Sequence, residues 1–409
     1  MNPLGIKLFL SFSFVMSSHF PSGPTAIVLS GGGARGAYEA GVLSYIFGEF
    51  AKRHGLPSFK VICGTSVGAI NGAYLASVSH EPTQGIEKLR EIWSQLELEH
   101  VIGFGFSQVV ELPRVLLGGR KGVGILDVTP LVKLAQRHMR WGNIARNLRR
   151  KYIDALTISA THVATGRPWL FVDRAPHVEL PSHLPPTLVL RPCRIGPEHV
   201  LASAAIPILF PPVSIRGQLF VDGGLRLNTP IAPAIHLGAR RIFVIALTSP
   251  SASGKPAFDP GIFPGAPFLV GKILNAFLLD PVITEFYEIE RFNRLLEDGI
   301  HAFGSDFVER LSAQAKAEGR PPYQRVWAIS IAPSADIGML AASYLRAHRA
   351  RFGKALGRQL LRLLDLGESV DSDLVSYLLF DGGFAKQLIE LGKEDAKKKE
   401  EEMARFFFD

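Results

Sequence analysis

Val61-Ile-Cys-Gly-Thr-Ser-Val-Gly-Ala-Ile70 opens as an apolar, strand-like run, breaks at Gly64-Thr-Ser66-Val-Gly68, and continues in small residues of helical character. Glycines two places before and two places after a serine suit a strand-to-helix corner so sharp that a Cβ at either flank would strike backbone. Such a corner is a nucleophile elbow, and Ser66 is the candidate nucleophile.

Working outward, residues 26–30 form a short apolar strand, followed by the turn Gly31-Gly-Gly-Ala-Arg-Gly36 and a helical pattern over 36–50. A second strand is expected at 59–63, with a helix over 67–77 after Ser66. Further strands are expected at 155–163, 169–172, 219–221, 242–247 and 326–331. Strands alternating with helices predict an α/β fold: a central mixed, largely parallel sheet flanked by helices, with a C-terminal helical extension. Thr129-Pro130 opens one helix toward Met139 and Asp280-Pro281 another toward Leu296, since a cap residue before proline is a helix-start signal. The Pro- and Gly-rich stretch 250–267 reads as a loop or flap. Near the C-terminus, Glu394 with Lys398 and Asp395 with Lys399 stand at i, i+4, the pattern of a solvated helix. The expected division is a leader at 1–24, a catalytic domain at 25–250, and a mainly helical region at 251–409 with one further strand.

At 409 residues, 47% hydrophobic and 20% charged, the chain has the composition of a compact globular protein. Its 45 Lys and Arg exceed 37 Asp and Glu for a net charge of +8. That excess fits contact with anionic surfaces but does not by itself select nucleic acid over phospholipid. Two cysteines, Cys63 and Cys193, imply no disulfide framework. Cys63, in the strand before the elbow, reads as a small core hydrophobe. The apolar run 8–16 after Lys7 is too short to span a bilayer. It is read either as a weak signal peptide or as a surface leader. Localisation accordingly stays open among cytoplasm, peripheral membrane and secretion.

Gly31-Gly-Gly-Ala-Arg-Gly36 satisfies G-x-G-x-x-G between a strand and a helix. A dinucleotide-binding loop also needs an acid at the end of the second strand, and here that strand ends in Cys63-Gly-Thr-Ser66. The other use of such a loop is an oxyanion hole: the N–H groups of Gly32, Gly33 and Ala34 at a helix start would face developing negative charge. Arg35 is a candidate for adding positive charge toward a phosphate or fatty carboxylate. Serine needs a base within reach. Asp222, in Phe220-Val-Asp-Gly-Gly-Leu225, ends a short strand, and Gly223 and Gly224 allow a tight turn that aims its carboxylate. Desolvation can raise such a carboxylate toward a working pKa. His236 lies in an apolar helical pattern and reads as structural. His301 and His348 follow Asp222 in sequence, so a Ser-Asp-His triad stays open as an alternative, as does a non-catalytic lipid-binding protein on the same fold.

Together, Gly31–Gly36, Gly64-Thr-Ser-Val-Gly68 and Asp222-Gly-Gly224 resemble the patatin-like phospholipase family in order and spacing. Gly124-Ile-Leu-Asp-Val-Thr-Pro-Leu131, Ala160-Thr-His-Val-Ala-Thr-Gly-Arg167 and Ala202-Ser-Ala-Ala-Ile-Pro207 extend the resemblance. It implies a three-layer fold and a Ser-Asp dyad of Ser66 and Asp222. It also implies an oxyanion hole from Gly31, Gly32, Gly33, Ala34, Arg35 and Gly36, and hydrolysis of fatty-acyl esters of phospholipids or other glycerolipids. The elbow and dyad-loop glycines are Gly64, Gly68, Gly223 and Gly224; Asp-Gly-Gly stands where Asp-Gly-Ala is also common. No metal or other cofactor is implied. The implied partner is lipid at a membrane or micelle interface, with no nucleic acid; the oligomeric state is not readable. Two segments are candidates for membrane contact, the apolar 268–279 and the basic run 137–151 containing Trp141; each also reads as an ordinary helix.

Overall fold

The computed structural model describes residues 23–101, 127, 129–181, 185–207, 209–248, 282–348 and 372–409. The expected leader segment 8–16, the 250–267 loop, the apolar segment 268–279, Asp280-Pro281 and half of the 124–131 motif lie outside the described residues.

The centre is a row of short apolar strands. Thr25–Leu29 (β1), Val61–Thr65 (β2) and Ala155–His162 (β3) are buried along almost their whole length. Near-continuous apolar strands of this kind suit a parallel sheet covered on both faces. β1 pairs in parallel with β2, and β2 with β3. On the other side β1 pairs in parallel with Arg241–Ile245 (β8), and β8 with Trp327–Ile331 (β9), so a strand from the C-terminal region extends the sheet. Pro168–Arg174 (β4) runs antiparallel to β3, and Val189–Pro192 (β5) runs parallel to β4. The path order is β5-β4-β3-β2-β1-β8-β9, with the hairpin Val213–Ile215 (β6) and Gln218–Asp222 (β7) joined to β3 through β7. The second strand lies two residues later than expected, and β5 and β6 are additions to the sequence reading.

Alternating side chains feed two cores. Ile27, Leu29, Ile62, Leu156, Ile158 and Phe171 face the larger one; Ala26, Val28, Val61, Cys63, Leu170 and Val172 face the other. Helices cover both faces. On the larger side lie Gly36–Tyr45 (α1), continued through a wide turn into Ala51–His54 (α2), then Val67–Val78 (α3), Pro82–Ser94 (α4) and Leu98–Val101 (α5). Thr129–His138 (α6), Trp141–Arg149 (α7) and Pro197–Ser203 (α8) add to them. Ile231–His236 (α9) and Val282–Phe303 (α10) carry Ala234, Phe286 and Ile289 onto the smaller core. Phe307–Ala317 (α11), Ile337–Ala347 (α12), Ser372–Leu378 (α13), Gly382–Lys398 (α14) and Glu400–Phe408 (α15) complete the described elements.

The basic run expected as a membrane contact is largely α7, whose Ile144 and Leu148 are buried while Arg149 and Arg150 face outward. Among the described residues no helix is long and apolar enough to cross a membrane. The solvated C-terminal helix is a correction. α14 packs against α1 so closely that a Cβ on Gly392 would stand 2.4 Å from the Tyr38 carbonyl oxygen, and one on Gly41 2.2 Å from that of Ile389. Asp395 is buried and accepts hydrogen bonds from Tyr38 Oη (3.2 Å), the Ser334 amide (2.9 Å) and Lys398 Nζ (3.0 Å). A carboxylate needs such donors once it leaves water, so in place of the i, i+4 partner Lys399 it takes Lys398 at i+3 and two tertiary donors, Tyr38 and Ser334.

Candidate active site

β2 leaves the sheet at Ser66, which starts α3 with φ 53° and ψ −122°. A non-glycine residue at positive φ is strained. The two elbow glycines permit the corner: a Cβ on Gly64 would lie 2.3 Å from the Gly68 carbonyl oxygen, and one on Gly68 2.2 Å from that of Leu29. Both obstacles are backbone. Gly68→Ala is therefore expected to cost roughly 1–3 kcal/mol or more, measured as a lowered denaturation midpoint with an unchanged slope.

The base candidate reaches Ser66 by strand substitution. β2 pairs with β3 as far as Thr65↔Ser159; at the next β3 residue β7 takes its place, pairing Asp222 with Ala160. Asp222 thus sits one residue step along β3 from the point where the elbow turns away. Ser66 Oγ donates to Asp222 Oδ2 at 2.6 Å, and the Gly224 amide donates to Oδ1 at 2.7 Å. Thr161 Oγ1 donates to the Asp222 carbonyl at 2.9 Å, and the Asp222 amide donates to Ala205 O at 2.8 Å. Gly223 is pressed on β3, where a Cβ would fall 2.4 Å from Ser159 O. Asp222 is fully buried. Burial pushes its pKa up to about 7, and the bonds from Ser66 and Gly224 hold back part of that rise.

The glycine loop divides its amides. The Gly31 N–H donates to Asn228 O (3.2 Å), that of Arg35 to Gly32 O (3.2 Å), and that of Gly36 to Gly33 O. Those of Gly32, Gly33 and Ala34 have no acceptor among the described residues. Gly33, at φ 58°, lines the cavity above Ser66, and a Cβ there would fall 2.4 Å from Tyr377 O. The expectation for the Arg35 side chain needs correction. It is buried, with Nε donating to Ser376 Oγ at 2.8 Å and Nη1 to Leu247 O at 3.3 Å, and its guanidinium lies 4.6 Å from the Tyr377 ring centre. A buried cation keeps such partners, so Arg35 ties the glycine loop to α13 and does not line the cavity.

The histidines left open for a triad lie elsewhere: His301 is exposed on α10, and His348 stacks on Tyr344 at 4.2 Å. His236, read as structural, is half-buried on α9. Both carboxylate oxygens of Asp222 are engaged by Ser66 and Gly224. Three contributors escaped the sequence reading. Ser203 Oγ accepts the Ser66 amide at 2.8 Å, Asn228 braces Gly31, and His138 lines the cavity. The Ala202-Ser-Ala-Ala-Ile-Pro207 motif was the available signal for Ser203.

Ser66 opens into a slot with about 910 Å³ of empty space, mouth included. Its walls are almost wholly apolar: Ile70 and Tyr74 of α3, Leu89 and Trp93 of α4, Leu131 and Ala135 of α6, with Leu201, Ile206, Phe210 and Phe380 closing it. One polar brace stands in the wall. Asn71 Nδ2 donates to Gly36 O (3.0 Å) and Glu39 Oε2 (2.8 Å), and Asn71 Oδ1 accepts from Trp93 Nε1 (3.1 Å). Burial holds Glu39 well above the usual carboxylate range.

The lysophospholipase NTE1 of Lodderomyces elongisporus is 21% identical over 270 residues, which are 64% of this chain and 15% of that protein. The chain thus spans about 15% of the length of that curated relative. Among solved structures, VipD from Legionella pneumophila aligns over 93% of this chain and 67% of its own at 14% identity, with a TM-score of 0.36. Human GIVD cytosolic phospholipase A2 aligns over 94% of this chain and 62% of its own at 10% identity, with a TM-score of 0.40. A family model described as patatin-like phospholipase matches residues 27–235, just over half of the chain, and contains the glycine loop, the Ser66 elbow and the Asp222 turn. The chain belongs to the patatin-like phospholipase family.

Proposed function

We propose that this protein is a serine acyl hydrolase of phospholipids or other glycerolipids, with Ser66 as nucleophile and Asp222 as its base. The observation that carries the reading is the 2.6 Å bond from Ser66 Oγ to a fully buried Asp222 carboxylate at the end of an apolar slot. Asp222 takes the Ser66 proton as Oγ attacks the ester carbonyl carbon. The carbonyl oxygen becomes an oxyanion held by the free amides of Gly32, Gly33 and Ala34. Collapse of this intermediate breaks the bond to the alcohol oxygen, which leaves with the proton from Asp222. Water, deprotonated by the same carboxylate, attacks the acyl-serine; the fatty acid departs and Ser66 regains its proton.

The slot is the expected seat of the acyl chain, because its walls offer burial and almost no competing polar groups. Ala135 lies on its α6 wall, so Ala135→Trp is expected to lower kcat/KM for long-chain esters relative to short-chain ones by about 10-fold or more. Equal losses for both chain lengths would place the chain elsewhere. The direct test is hydrolysis of a lipid panel followed by mass spectrometry, comparing wild type with Ser66→Ala. Fatty acid and lysolipid are expected from the wild type only, and equal product from both proteins would overturn the proposal.

A further inference from the structure

A second pocket lies beside the first and takes no part in the chemistry above. Trp169 and Phe171 of β4, Arg191 of β5, Cys193, His199 of α8, and Arg216 with Phe220 of the β6–β7 hairpin line it. Phe220 packs edge to face on Trp169 and on Phe171, with ring centres 5.0 and 5.4 Å apart. Arg191 lies over the Trp169 ring at 4.5 Å, and neither it nor Arg216 has an ion-pair partner among the described residues. Two carboxylates stand near the pocket: Glu198 lies 3.4 Å from Nδ1 of the pocket-lining His199, and Asp173 accepts the Ile195 amide at 3.1 Å.

Arg216 is held there against a backbone preference. Ile215 pairs with Gln218, leaving Arg216 and Gly217 as a two-residue turn with φ 49° and 78°. Positive φ at both positions is the type I′ turn, for which Asn-Gly is the favoured pair. An arginine in the strained place presents a long cation where asparagine would sit more easily.

The pocket shares the active-site end of the sheet. β2 and β3 run parallel, so Ser66 after β2 and His162 at the end of β3 lie at one end. Phe220 pairs with His162 and stands two residues before Asp222. Beyond them Val163 and Leu219 are 45% and 46% exposed, joined by the bond from the Val163 amide to Leu219 O. Helix α8 separates the two cavities: Val200 and Leu201 line the slot, while His199 faces the second pocket.

We propose that this pocket binds the phosphate headgroup of an anionic phospholipid, seating the active-site end of the protein on an anionic lipid surface. Unpaired arginines supply the charge-assisted donors that a phosphate requires, and Val163 and Leu219 supply apolar tips that suit the acyl boundary beneath the headgroups. The lipid source, in preference to soluble phosphate, follows from those exposed tips and rests on the hydrolase reading above.

The test is flotation with vesicles of phosphatidylcholine alone or mixed with phosphatidylglycerol. It uses wild type, Ser66→Ala, and the double variant Arg191→Gln with Arg216→Asn. Wild type and Ser66→Ala are expected to float with the mixed vesicles alike, and the double variant to bind at least ~10-fold more weakly, about 1.4 kcal/mol. Asparagine suits the turn, so Arg216→Asn alone is expected to melt no lower than wild type, which separates lost binding from lost folding. Equal binding to both vesicle types, or full binding by the folded double variant, would overturn the proposal. So would displacement of the protein from vesicles by low millimolar inorganic phosphate at matched ionic strength, which would assign the pocket to a soluble phosphate. Because Ser66→Ala carries the binding test, loss of the hydrolase assignment and loss of the docking assignment give different results.

Discussion

Asp222→Asn is expected to lower kcat on a soluble short-chain ester by roughly 10²–10⁴-fold, the usual contribution of a positioned general base. The amide keeps the size of the carboxylate and can still meet Ser66 Oγ and the Gly224 amide, but it takes no proton. In the wild type, activity is expected to rise as pH passes about 7, where Asp222 becomes ionised, and to level off above. The stability trend has the opposite sign. Because burial raises the folded-state pKa above its ordinary 3.8, the native state holds a proton that the unfolded chain releases. Asp222 therefore contributes stability that is present below about pH 4 and is lost as pH rises through about 7, at about 1.4 kcal/mol for each pH unit of that window. Asp222→Asn is expected to remove this trend, melting above wild type at pH 8. Rates and melting curves across that range check both effects. Retained turnover in a folded Asp222→Asn protein would point to another base.

The second large effect is at Ser66 and separates strain from chemistry. Both Ser66→Ala and Ser66→Gly are expected to abolish turnover, since neither offers a nucleophilic oxygen. Both also lose the bond to Asp222. They differ in backbone cost: at φ 53° alanine is as strained as serine, whereas glycine adopts the conformation freely. Ser66→Gly is therefore expected to be about 1 kcal/mol more stable than Ser66→Ala, the reverse of the usual order at unstrained positions. Paired denaturation curves measure the difference. Equal stabilities would mean that the elbow is relaxed.

The pattern that made Ser66 visible was local: two glycines at fixed spacing leave a backbone reading that few other residues permit. The same holds for the Gly31–Gly36 loop and the Asp222 turn, and strands such as β1, β2 and β8 announced themselves by near-unbroken apolar runs. Placement across the chain was less legible. That β7 replaces β2 beside β3, and so brings Asp222 to Ser66 across the sheet, follows from strand register, which no local motif encodes. β5 and β6 are short edge pieces carrying Arg, Pro and Ser, without the alternation that marks longer strands. Arg35 and Asp395 were misread for one reason. Each is a charged residue in a segment that looks exposed, and its burial depends on partners from distant positions, Ser376 and Tyr377 for Arg35, and Tyr38 and Ser334 for Asp395. His138 and Ser203 reach the site through helix packing alone.

Covalent capture of the nucleophile tests the central claim most directly. The folded wild-type protein would be treated with a fluorophosphonate, which phosphonylates an activated serine, then digested and mapped by mass spectrometry. A single adduct is expected on Ser66, absent in Ser66→Ala and formed much more slowly in Asp222→Asn. An unmodified Ser66 in the folded protein, or an adduct on another residue that accompanies loss of activity, would contradict the account.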